Sequence, residues 1–122
     1  VLLESSSGGA AYRIGKLLID NGFSIAGCTF NAKTQKAEHI LVENEKNLYL
    51  FQNSKYMQSD FSKVLEQIKA CNNPVAIFGT PCQIAGAQKL FSNRKDILYI
   101  DLIYIHSNTR LILRPFGVQR YE

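Results

Sequence analysis

One stretch, Pro-Val-Ala-Ile-Phe-Gly-Thr-Pro-Cys-Gln-Ile at positions 74–84, constrains the fold more than any other part of the chain. Val75 to Phe78 form a short, continuous apolar run, the pattern of a strand buried on both faces. Gly79 ends the run. Thr80 can then cap a helix with Pro81 at its first position, where a missing N–H goes unused anyway. Cys82, Gln83, Ile84 and Ala85 open that helix. A thiol and an amide thus stand at the carboxyl end of a strand, beside helix N–H groups, where open α/β sheets bind ligands. The same pattern also fits an ordinary strand–turn–helix corner in which Cys82 is small apolar filler.

The residues after this corner complete a βαβ unit. The helix runs over 82–91, and Ile97 to Ile103 is a second β-rich run, so the strands at 75–78 and 97–103 are predicted parallel. Asp101 falls inside that run, as either a structural hydrogen-bond anchor or a site residue. Upstream, Ala11, Ile14, Leu17 and Leu18 recur at helical spacing over 9–21, and Asn21-Gly22 supplies the stop. Runs at 23–30 and 38–43 read as a hairpin, and Asn44 can cap a short helix through Phe51. Ser59 or Asp60 caps a helix over 60–71 with Phe61, Val64, Leu65, Ile68 and Cys71 as its buried stripe. The fold class is therefore α/β: a mostly parallel sheet with a βαβ unit, and an antiparallel hairpin at its edge.

Composition narrows the class further. With 122 residues, 46% of them hydrophobic, the chain is long enough for one core and too short for two domains, so residues 1–122 read as a single domain. Val1 is not an initiator, which points to a piece of a longer chain. No apolar run reaches the roughly 20 residues of a membrane helix, and no signal peptide is visible. The three cysteines (Cys28, Cys71 and Cys82) are odd in number and lack CxxC spacing, which points to a reducing cytoplasm rather than a disulfide framework. A net charge of +4 suits anionic ligands such as nucleotide phosphates. There is no basic stripe interleaved with aromatics, so nucleic acid is not an expected partner.

Two polar stretches stand apart from the core pattern. Ser5-Ser6-Ser7-Gly8-Gly9 feeds a helix start and reads either as an anion-binding loop or as a linker. Within 53–60, Lys55 can neutralise a phosphate, Tyr56 can stack on a ring, and Gln58 or Ser59 can read polar edges. The alternative there is a solvated loop with Tyr56 packed on the core. His39 lacks metal-ligand spacing and reads as a surface strand residue, and Cys71 as a helix-end core residue.

Taken together, Ser5–Gly9, Ser54-Lys55-Tyr56-Met57-Gln58-Ser59 and Gly79-Thr80-Pro81-Cys82-Gln83-Ile84-Ala85-Gly86 resemble, in order, motifs of the coenzyme F-420 hydrogenase/dehydrogenase beta-subunit family. Asp101-Leu102-Ile103 occupies the place of that family's Asp-Leu-Ile/Val-Cys-His-Gly motif, and the resemblance covers about residues 4–103. It implies an FAD-binding oxidoreductase that passes electrons between iron–sulfur clusters or partner subunits and a deazaflavin or related acceptor. It further implies that Ser6, Ser7, Gly8 and Gly9 approach the flavin nucleotide and that Lys55, Tyr56 and Gln58 are flavin contacts. Thr80, Pro81, Cys82 and Gln83 would lie by the ring or a cluster, with Cys82 and Gln83 as the catalytic pair. The chain departs from the family where Tyr104-Ile105-His106 replaces Cys-His-Gly, and the tail 104–122 is divergent. An iron–sulfur cluster would therefore need other segments or subunits, with Cys82 as a candidate ligand. The competing reading is a catalytically silent α/β fragment that serves as an interaction or scaffold domain.

Overall fold

The computed structural model describes residues 2–5, 9–51, 59–105 and 108–114. Its strands are β1 (Leu2–Ser5), β2 (Ser24–Asn31), β3 (Lys36–Val42), β4 (Val75–Gly79), β5 (Ile97–Ile105) and β6 (Asn108–Arg114). They form one sheet in the order β1-β6-β5-β4-β2-β3. Its α-helices are α1 (Gly9–Asp20), α2 (Ser62–Ala70) and α3 (Pro81–Leu90), and a 3-10 helix spans Glu45–Phe51.

β4 sits inside this sheet and is buried at every position. Its side chains alternate between two cores, as the two-residue period of a strand requires. Val75 and Ile77 pack with Val64 and Ile68 of α2 and with Ile84 and Ala87 of α3. Ala76 and Phe78 join Ile25, Val42 and Leu48, with Ile14 and Leu18 of α1 packed against them. The architecture is thus three layers: α2 and α3 on one face, α1 and the 3-10 helix on the other.

β4 is parallel to β5, as the βαβ unit predicts, and it is parallel to β2 as well. The pairs β2–β3, β5–β6 and β1–β6 are antiparallel. Among the described residues the sheet is therefore mixed, with its parallel part confined to β2, β4 and β5. For β2–β3 and β5–β6 the reason is connection length. The strands of each pair are only a few residues apart in sequence, and a parallel return needs a crossover of a dozen or more. The predicted hairpin is in place, with β3 at the sheet's edge.

Local signals explain the helix ends. Gly22 takes a φ of +88°, and the Leu18 carbonyl accepts from the N–H groups of both Asn21 and Phe23, so α1 stops where Asn21-Gly22 predicts. The inward stripe of α1 differs from the sequence pattern, since Leu17 is 63% exposed. Instead the helix turns Gly15 toward the 3-10 helix, where an added Cβ would lie 3.1 Å from Leu48 Cδ2. α2 begins at Ser62, two residues later than the pattern suggests. Phe61 is its N-cap residue and makes no side-chain cap, while Asp60 Oδ1 accepts from the Ser62 N–H at 2.9 Å. At its other end, Arg94 Nη1 donates to the Ile68 carbonyl at 2.8 Å and the guanidinium pairs with Asp96. Among the described residues, no helix is long and apolar enough to cross a membrane.

Candidate functional site at the carboxyl edge of the sheet

The strand pairings fix a direction for each strand. β1 and β5 are both antiparallel to β6, and β5 is parallel to β4, which is parallel to β2. The carboxyl ends of β1, β2, β4 and β5 therefore share one edge of the sheet, and both α1 and α3 start from it. α1 then crosses one face while α3 packs on the other. In open α/β sheets, ligands bind outside the carboxyl ends of strands whose connections leave to opposite faces.

The best-defined part of this edge is the turn from β4 into α3. Thr80 is the N-cap of α3, with an extended backbone, and Pro81 occupies the first turn as predicted. Thr80 and Gln83 form a reciprocal capping box. The Gln83 N–H donates to Thr80 Oγ1 at 3.5 Å, and the Thr80 N–H donates to Gln83 Oε1 at 3.0 Å. Gly79 makes room for the returning amide, since a Cβ there would lie 3.0 Å from Gln83 Oε1. The cap changes what the helix start offers. It engages the Thr80 and Gln83 amides, and Pro81 has no N–H, so the Cys82 amide is the first-turn donor that this cap leaves over.

Cys82 is exposed. This overturns its reading as core filler and leaves a thiol at the surface in the first turn of a helix. By contrast Cys28 is fully buried, and Cys71 is partly buried at the end of α2, with its Sγ 3.5 Å from Ser24 Oγ. Asp101 pairs in register with Gly79 and is buried. Of the other residues the sequence singles out, Ser6, Ser7, Gly8, Lys55, Tyr56 and Gln58 lie outside the described residues. Their flanks are described: Ser5 ends β1 and Gly9 begins α1 at this edge.

Sequence reasoning misplaced His39. It is fully buried rather than a surface strand residue. Its Nε2 lies 2.8 Å from the Phe78 carbonyl and its Nδ1 2.7 Å from Ser59 Oγ. A carbonyl only accepts, so Nε2 carries the proton and Nδ1 of the neutral ring accepts from the Ser59 hydroxyl. The Phe61 ring packs edge-on at 4.4 Å. Burial holds the His39 pKa down at about 4, with the hydrogen bond to Phe78 opposing part of that shift. The ring is therefore neutral near pH 7. A sequence signal was present: the two neighbours on the same side of the strand, Ala37 and Leu41, are both apolar.

His39 thus joins Ser59, the last residue of the Ser54–Ser59 motif, to Phe78, which immediately precedes the Gly79–Gly86 motif. The backbone repeats the link, with the His39 N–H donating to the Asp60 carbonyl and the Asp60 N–H to the Ala37 carbonyl. Among the described residues, no group of three or more His, Cys, Asp or Glu is placed to hold a metal ion. Comparison with protein-family models, curated proteins and solved structures returns no match.

Proposed function

We propose that this chain is the flavin-binding part of an oxidoreductase similar to coenzyme F-420 hydrogenase/dehydrogenase beta subunits. Such a protein passes electrons between FAD, iron–sulfur partners and a deazaflavin or related acceptor. One observation carries the reading. The Gly79–Gly86 motif stands at the carboxyl end of a central parallel strand, and the residues flanking the other two motifs abut the same sheet edge or are tied to it through His39.

In this reading Ser6–Gly9 and Lys55 hold the nucleotide phosphates, and Tyr56 and Gln58 contact the flavin. Thr80 and Pro81 shape the turn, and Gln83 closes it, which leaves Cys82 as the group that meets the ring edge. The fit is with a ring edge rather than a pyrophosphate, because the capping box already takes most first-turn donors of α3. Bound FAD would supply hydride and single-electron transfer. The Cys82 amide and the positive end of α3 would favour negative charge developing beside them. With three cysteines in the whole chain, a four-cysteine cluster belongs to a partner or another segment, with Cys82 at most one of its ligands. The partner is an electron-transfer protein or subunit, and the compartment is the cytoplasm.

A silent α/β scaffold is the second reading. It is favoured by the capping box, which gives Thr80 and Gln83 a purely structural role, and by Tyr104-Ile105-His106 in place of Cys-His-Gly. A visible spectrum of the purified protein separates the two, because oxidised flavin absorbs near about 450 nm. FAD fluorescence titration then tests the site, with Lys55→Glu expected to weaken binding more than Lys36→Glu. A colourless protein that does not take up FAD would leave the scaffold reading standing.

A further inference from the structure

His39 is a buried ionisable side chain that the proposed electron transfer does not use. Three segments meet on it: β3, which carries it, the Ser59–Phe61 stretch that leads into α2, and the carboxyl end of β4. We propose that His39 is the positioning residue that clasps Ser59–Phe61 against the end of β4, and that acid opens this clasp locally. The clasp does not rest on the flavin reading.

The physics lies in hydration rather than in lost hydrogen bonds. A protonated ring would still donate through Nε2 to Phe78, and the Ser59 hydroxyl could turn to accept from Nδ1. What it lacks is water, and a buried imidazolium is costly for that reason. The cover over the ring includes Ser59 and Phe61, held to β3 by the two backbone bonds at Asp60. Parting that cover hydrates the ring without unpacking the sheet.

Among the described residues, the charged groups nearest the clasp have partners of their own. On β3, Glu38 is engaged by Lys63 at 3.6 Å and by Asn31 at 3.3 Å. Asp60 is held as a carboxylate by its bonds from Ser62. On β2 the register partner is Cys28, whose Sγ turns to the Thr29 carbonyl. On β4 the ring meets a backbone carbonyl.

The test is hydrogen exchange at the Asp60 and His39 amides, corrected for intrinsic rates, with Ile77 in β4 as the reference. An open state with a solvated His39 gains about 20-fold in population between pH 7 and pH 5, given a pKa of about 4 when closed and 6.5 when open. The Asp60 amide should therefore exchange about 20-fold faster at pH 5. At both pH values it should exchange faster than Ile77 and depend little on urea, as local opening requires. His39→Gln, which retains a donor for Phe78 but cannot titrate, should flatten the pH response. Ser59→Ala should lower Asp60 protection at pH 7 and keep the pH factor. Imidazole nitrogen shifts of the unmodified protein should report the Nε2–H tautomer, and His106→Asn should leave the pH factor intact. Asp60 protection that merges with that of Ile77, or that lacks the pH factor, would overturn the clasp whether or not the protein binds flavin.

Discussion

Replacing Gln83 separates the structural work of the β4–α3 turn from any work on a ligand. The side chain returns to accept the Thr80 N–H at 3.0 Å, the shorter half of the capping box. Gln83→Ala removes that acceptor from a half-buried N–H and should cost about 1 kcal/mol, the net value of one such bond with water replacing part of it. Thr80→Ala removes the 3.5 Å half and should cost about 0.5–1 kcal/mol, the low end for an N-cap. Gln83→Glu behaves differently. Its carboxylate accepts the same bond and places negative charge at a helix start, which is favourable by about 0.3–1 kcal/mol. Urea unfolding at pH 7 should therefore rank Gln83→Glu at or above the unmodified protein and Gln83→Ala below it, with melting temperatures of the latter pair about 4 °C apart. Flavin titration reads the other role. If Gln83 meets the ring through its amide N–H, Gln83→Glu loses affinity with its stability intact. Equal destabilisation by Glu and Ala would refute the reasoning, because it would mean that the acceptor oxygen does not hold the turn.

The same structure sets three further outcomes. The depressed His39 pKa makes stability depend on pH: between about 4 and 6.5 the unfolded chain binds the proton and the folded chain does not, so stability is full above 6.5 and falls as pH drops through that window. The loss saturates below about pH 4 at about 3 kcal/mol, measurable by urea unfolding from pH 7 to 4, and His39→Gln should abolish it. Thiol labelling of the native protein should modify Cys82 first, Cys71 more slowly and Cys28 only through unfolding, as their burial dictates; protection of Cys82 by FAD would place it at the cofactor, and labelling of Cys28 at the rate of Cys82 would contradict the packing. Gly86→Ala should stabilise the protein by about 0.5–1 kcal/mol in thermal melts, because Gly86 lies inside α3 with nothing within 4 Å of an added Cβ, and a glycine there costs backbone entropy.

The centre of the fold is legible in the sequence, and its margins are not, for a physical reason. β4 and α3 announce themselves locally, through an uninterrupted apolar run and a Thr-Pro start that needs only its own neighbours. The β2–β3 hairpin and the end of α1 at Gly22 are local in the same sense. β6 and β1 are different. Leu2 pairs with Ile112, and no short-range periodicity reports a partner so distant in the chain. β6 also lies in the segment that reads as a divergent tail, with Arg110 and Arg114 flanking its apolar residues in sequence. The stripe of α1 fails at Leu17 because the choice among neighbouring apolar positions is made by contact with Leu48, which helical spacing cannot see.

The site divides along similar lines. Thr80 and Gln83 are explained by the helix they cap, so their presence would be expected of any well-made turn and says little about a ligand. His39 is explained by its two hydrogen bonds and its burial, which tie motif segments together but touch no surface. Cys82 is the exception among the turn residues. Neither the core nor the cap requires a thiol at an exposed position in the first turn of α3, and more polar side chains would serve the helix there as well. Cys82 is therefore the turn residue whose identity the fold leaves unexplained, and its labelling with and without FAD is the measurement that bears on its role at this edge.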